Sequence, residues 1–131
     1  MITSENCIEL FLNKVPEFES SWKAHIDYWD GDSAGLSNDI TEFSFFFIEH
    51  IDSFKSDKLE SIFALVEGCL NYGTEPVKDA ISTCFLENLV NFSSEAGLQA
   101  HLFEKFLGKK SREYCKAWDE FTGIKTKGIN Y

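Results

Sequence analysis

SDKLESIFALVEGCLNYGTEPVKDAISTCFLENLVNF, residues 56–92, is the stretch whose reading decides the fold. Leu59, Ile62, Phe63, Val66, Cys69 and Leu70 recur at the three- and four-residue spacing of one helix face. Val77, Ile81, Cys84, Phe85, Asn88 and Phe92 repeat that pattern after Gly73 and Thr74. Glycine suits the left-handed residue that closes many helices, and threonine suits an N-cap. The pair therefore predicts a tight turn between two amphipathic helices.

Upstream, a first helix is expected from Thr3 or Ser4, with Cys7, Ile8, Phe11 and Leu12 as its apolar stripe. Val15-Pro16 ends it, because proline disfavours helical backbone at the residue before it. Pro16 then suits the first turn of a second helix through Phe18, Trp22, Ile26 and Trp29. DGDSAG, residues 30–35, is rich in turn formers and predicts a loop. A third helix is expected from Asn38 or Asp39 to about Phe54. Its core FSFFFI, residues 43–48, is apolar almost all round, the pattern of a helix enclosed on several sides. Downstream, a sixth helix after Ser93 carries Leu98, Leu102, Phe106 and Leu107 to Gly108. A seventh runs from Ser111 through Tyr114, Cys115, Trp118 and Phe121 to Gly123. The expected caps Asn38, Ser56, Thr74, Ser93 and Ser111 fall 18 or 19 residues apart. That rhythm predicts an all-α domain of about seven helices, stacked as antiparallel helical hairpins in a HEAT-like α-α superhelix. A compact helical bundle is the alternative.

A chain of 131 residues fits one domain, here 1–131. No apolar run reaches the roughly 18 residues of a membrane span, and the opening MITSENCIELFL lacks the basic region of a secretory signal, so a cytoplasmic protein is expected. The four cysteines are far apart without a C-x-x-C pair, which predicts buried reduced thiols. Charge is more informative. The net charge is −10, and it is uneven: residues 1–79 hold sixteen acids against five bases, residues 80–131 six against seven. Between Lys23 and Lys55 no lysine or arginine interrupts Asp27, Asp30, Asp32, Asp39, Glu42, Glu49 and Asp52. Such a surface repels nucleic acid and anionic membranes and attracts basic proteins. Tyr28 and Trp29 beside it supply the rigid aromatics of an interface centre within a charged rim. These nine residues are the candidate partner-binding site. The competing reading makes the acids a solvated surface and Trp29 part of the core.

Chemistry is harder to find. DGDSAG resembles the start of a calcium loop, but position 5 is Ala34 and position 12 is Thr41, with Glu42 one residue late. An acidic turn is the better reading. His25, His50 and His101 are scattered, Cys115 sits on a helix face, and no phosphate loop or G-x-S-x-G occurs. No enzyme, metal or cofactor is expected. Asn88, on an apolar stripe next to Glu87, should tie its helix to a neighbouring backbone, since a buried unpaired amide costs on the order of 1–3 kcal/mol.

Three segments resemble a known family: FALVEGCLNYGTEPVKDAISTCFLENLVN at 63–91, LGKKSREYCKAWDEFTG at 107–123, and VPEF at 15–18 with Trp22 and Trp29. The chain is similar there to small all-helical bacterial immunity proteins of polymorphic toxin and contact-dependent growth inhibition systems. The resemblance implies a cytoplasmic protein, monomeric when free, that binds and neutralises the C-terminal domain of a cognate toxin. Many such toxins are nucleases with basic clefts, which an acidic protein complements. A helical-repeat adaptor for a basic protein or peptide is the alternative function.

Overall fold

The computed structural model describes residues 1–95, 100–129 and 131. The fold is all-α. Its helices are α1 (Cys7–Lys14), α2 (Glu19–Tyr28), α3 (Leu36–His50), α4 (Ser56–Tyr72), α5 (Glu75–Ile81), α6 (Glu87–Glu95) and α7 (Lys109–Thr122). A π turn, Ser82–Leu86, joins α5 to α6, so residues 75–95 form one continuous helix. Among the described residues the only β pairing is a bridge from Ile2 to Gly73, which pins the N-terminus to the α4–α5 turn. No helix among them is long and apolar enough to cross a membrane.

α4 packs against α1 and α7; α3 packs against α2, α1 and the 75–95 helix, which α7 also touches. Phenylalanines fill the space between these helices. Phe47 of α3 meets Phe63 of α4 at 5.7 Å and Phe85 of the π turn at 5.3 Å, and Phe63 stacks on Phe103 at 6.2 Å. Each such ring pair adds about 0.5–1.5 kcal/mol beyond the area it buries. All six residues read on the α4 face are buried. Along 75–93 the buried set is Val77, Ala80, Ile81, Phe85, Leu86, Leu89 and Val90. The wider π turn rotates the apolar face by about one residue, which leaves Phe92 half-buried.

Several expectations are corrected. Gly73 is not left-handed: its φ is −80°, and its role is close approach, since an added Cβ would lie 2.7 Å from Val77 Cγ1. α3 ends at His50 and continues as a 3-10 turn, Ile51–Ser53, before Phe54 turns extended. Ser93 is no cap; it lies inside α6, where its hydroxyl donates to the Leu89 carbonyl at 2.8 Å. The expected sixth helix is replaced, within the described residues, by two 3-10 turns, Ala100–Leu102 and Glu104–Phe106, while Leu98 lies outside them.

α7 starts at Lys109, and Gly108 opens it rather than closing a helix before it. Its N-terminal donors are satisfied from another helix. Glu67 of α4 accepts from the backbone N–H of Lys110 at 2.7 Å, from that of Ser111 at 3.1 Å and from the Ser111 hydroxyl at 2.9 Å. A carboxylate there also complements the helix dipole. A Cβ on Gly108 would press on Glu67 Cγ at 2.8 Å, so glycine is what lets the two segments meet.

Asn88 reaches a side chain rather than a neighbouring backbone: its amide donates to the Ser44 hydroxyl at 2.9 Å, and to the Cys84 carbonyl of its own helix at 2.8 Å. Beside it, Glu87 accepts from the Tyr114 hydroxyl. All four thiols are free; Cys7, Cys69 and Cys115 are buried and Cys84 is half-buried.

Candidate functional site

The second helix was expected to bury Phe18, Trp22, Ile26 and Trp29. The stripe instead runs Phe18, Trp22, His25, Trp29, and Ile26 is 43% exposed. Both sets keep helical spacing. The choice falls on the histidine because α3 offers it a partner. His25 Nε2 lies 2.9 Å from Asp39 Oδ1, and Nδ1 lies 4.0 Å from Glu42 Oε2. An ionised carboxylate only accepts, so Nε2 carries the proton and donates to Asp39. The ring packs between Trp22 and Trp29, with centroids 5.5 and 6.5 Å away. Asp39 sits in the first turn of α3, where negative charge is favourable.

Residues 29–35 turn the chain from α2 into α3. Asp30 takes a φ of 50°, Gly31 84° and Gly35 87°. Among non-glycine residues, aspartate is one of the few that tolerate this left-handed region. The Asp30 and Asp32 backbone N–H groups donate back to the carbonyls of Asp27 at 3.1 Å and Trp29 at 2.9 Å. This winding lifts the two carboxylates out beside the end of α2.

Two hollows flank Trp29. The larger, about 400 Å³, is lined by His25, Tyr28, Trp29, Asn38, Thr41 and Glu42. The smaller, about 180 Å³, lies between Trp22, Trp29, Asp32 and Asp39. Tyr28, 82% exposed, meets Trp29 edge-on at 5.8 Å. Ring faces and carboxylates converge here, an arrangement suited to a cation from outside.

Of the nine residues proposed from sequence, seven come together at this corner. Asp27, Tyr28, Asp30 and Asp32 are exposed, whereas Trp29, Asp39 and Glu42 are partly buried. Glu49 and Asp52 do not join them. They lie at the far end of α3 and in the turn beyond it, and Glu49 is displaced from Asp39 by about 15 Å along the helix axis. His25 was missed. Its signal was position: three residues after Trp22 and four before Trp29.

Asp27, Asp30 and Asp32 make no side-chain hydrogen bond or ion pair with any described residue. They crowd the C-terminal end of α2, where the helix dipole makes negative charge in the last turn, that of Asp27, unfavourable by about 0.3–1 kcal/mol at low salt. Charges placed against the local preference of the fold are the pattern of a surface kept for another purpose.

No curated protein and no solved structure matches the chain. Residues 8–123, which contain the whole α2–α3 corner, match a domain of unknown function, DUF7674, and the chain belongs to that family.

Proposed function

We propose that this chain is an immunity protein that captures a basic toxin domain, a nuclease being the best electrostatic fit, and blocks it by binding rather than by chemistry. The supporting observation is the α2–α3 corner, where carboxylates without a partner among the described residues lie beside the exposed Tyr28 and the partly buried Trp29. The toxin itself enters through the resemblance of residues 15–123 to bacterial immunity proteins. Charge at the corner would steer the partner, and steering raises association rates by roughly 10- to 1000-fold at low salt. Tyr28 and Trp29 would then supply the contact that slows dissociation.

The test is co-expression with the C-terminal domain of a toxin encoded by a neighbouring reading frame. Growth rescue and co-purification are expected. The variant Asp27→Lys, Asp30→Lys, Asp32→Lys should associate at least about tenfold more slowly at low salt and lose most of the salt dependence. Unchanged association kinetics would remove the corner from the interface. A basic peptide bound without any rescue would favour the adaptor reading.

A further inference from the structure

We infer that the larger hollow is a socket for one arginine side chain of the partner; this deepens the docking role proposed for the corner and rests on it. The argument is an inventory of donors and acceptors. The His25 side chain is 8% exposed, and its Nε2–H is committed to Asp39. In the neutral ring so bonded, Nδ1 carries a lone pair and has no hydrogen-bond partner among the described residues; the Glu42 carboxylate, 4.0 Å away, is an acceptor as well. Among the described residues no fully buried side-chain nitrogen or oxygen is left without a partner. Nδ1 is therefore not sealed inside the fold, and His25 is part of the wall of this hollow.

The other polar walls have the same bias. The Thr41 hydroxyl donates to the Ser37 carbonyl at 2.8 Å, and the Asn38 amide donates to the Ala34 carbonyl at 2.7 Å. Both residues keep acceptor oxygens, and an ionised Glu42 only accepts. A hollow that offers the Thr41 and Asn38 oxygens and the Glu42 carboxylate beside the rings of Tyr28 and Trp29 favours a group with many donors, a positive charge and a flat face. The guanidinium of arginine meets all three conditions. The ammonium of lysine supplies charge and donors but cannot stack as a plane, and a neutral ureido group supplies donors without the charge.

The test uses the free protein and three blocked tripeptides, acetyl-Gly-X-Gly-amide, with X arginine, lysine or citrulline. Amide and indole N–H resonances are followed by NMR. Saturable shifts at Tyr28, Trp29 and the start of α3 are expected with the arginine peptide, about threefold or more tighter than with lysine, and no saturation with citrulline. Glu42→Gln should weaken arginine binding about threefold or more, while Glu60→Gln on the outer face of α4 should leave it unchanged. Equal affinity for lysine and arginine, shifts that do not saturate, or indifference to Glu42→Gln in a variant with unaltered circular dichroism would each overturn the socket. The two readings fail separately. Toxin capture that survives Glu42→Gln together with Tyr28→Ala removes the socket and leaves immunity standing. Arginine binding without toxin rescue keeps the socket and removes immunity.

Discussion

Asp119 and Asp30 carry the same side chain in opposite surroundings. Asp119, 5% exposed on α7, accepts from the Thr126 backbone N–H at 3.1 Å, the Thr126 hydroxyl at 2.9 Å and the Tyr131 hydroxyl at 2.8 Å. Those bonds fold the C-terminal tail back onto the domain. Asp30 is exposed, left-handed in backbone and without a side-chain partner among the described residues. The contrast extends to their neighbours. Around α7, Glu67 caps the helix, Glu104 pairs with Arg112 at 2.8 Å and Glu87 holds Tyr114. At the α2–α3 corner, Asp39 alone has a close partner, His25. Acids that serve the fold are recognised by donors converging on them; the corner acids lack that mark, so they are where a partner should be sought.

Alkali should produce the largest effect, and it should act on the α7 side. Cys115 is pushed up from near 9 to about 12, first by burial and then by the charge of Asp119. Burial, with help from carboxylate neighbours, also holds the Tyr114 and Tyr131 hydroxyls above their ordinary range. A folded-state value raised above the unfolded one stabilises the protein fully below the unfolded value, and that contribution is lost as pH rises through the folded one. Urea midpoints should therefore fall between about pH 9 and pH 12, with Cys115 accounting for at most about 4 kcal/mol. Cys115→Ala should start from lower stability but show a shallower decline. An equally steep decline in that variant would mean the thiol's folded-state value is not raised above its unfolded one.

Asp119→Ala comes next. It strips the acceptor from three donors, among them a buried backbone N–H, and about 2–4 kcal/mol of stability should be lost. Urea denaturation would measure the loss, and limited proteolysis should find cleavage within residues 124–131. A loss below about 1 kcal/mol would show that the tail contributes little and would weaken the contrast with Asp30.

Helix spacing made the all-α fold legible, most fully in α4, because burial there follows from neighbours three and four residues apart. What spacing could not show depends on partners far away in sequence. Ile26 looked like the inward residue of α2, and His25 displaced it only because Asp39, 14 residues on, satisfies the ring. Ser111 looked like a cap, yet the cap is Glu67, 44 residues earlier. The 18-residue rhythm rested partly on Ser93 and Ser111, both of which lie inside helices. The tail, 124–131, carries no periodicity, and its described residues are held by bonds to Asp119 and by the buried side chain of Ile129. At the site, the crowding of acid was legible but its division was not. Local charge density does not say that Glu49 and Asp52 belong to the other end of α3.

The smallest stability effect has the opposite sign and probes the corner itself. In Asp27→Asn, Asp30→Asn, Asp32→Asn the side-chain shapes are nearly kept, asparagine tolerates the left-handed backbone at position 30, and no hydrogen bond to a described residue is removed. What disappears is negative charge at the end of α2 and its mutual repulsion. The variant should gain about 0.3–1 kcal/mol at low salt. The gain should shrink as ionic strength rises and screening shortens to about 8 Å or less. A gain of this kind, paired with slower capture of a basic partner, would mean that the wild-type corner gives up stability to keep its charge. If the variant instead loses more than about 1 kcal/mol, the three aspartates serve the fold after all, and the distinction from Asp119 collapses.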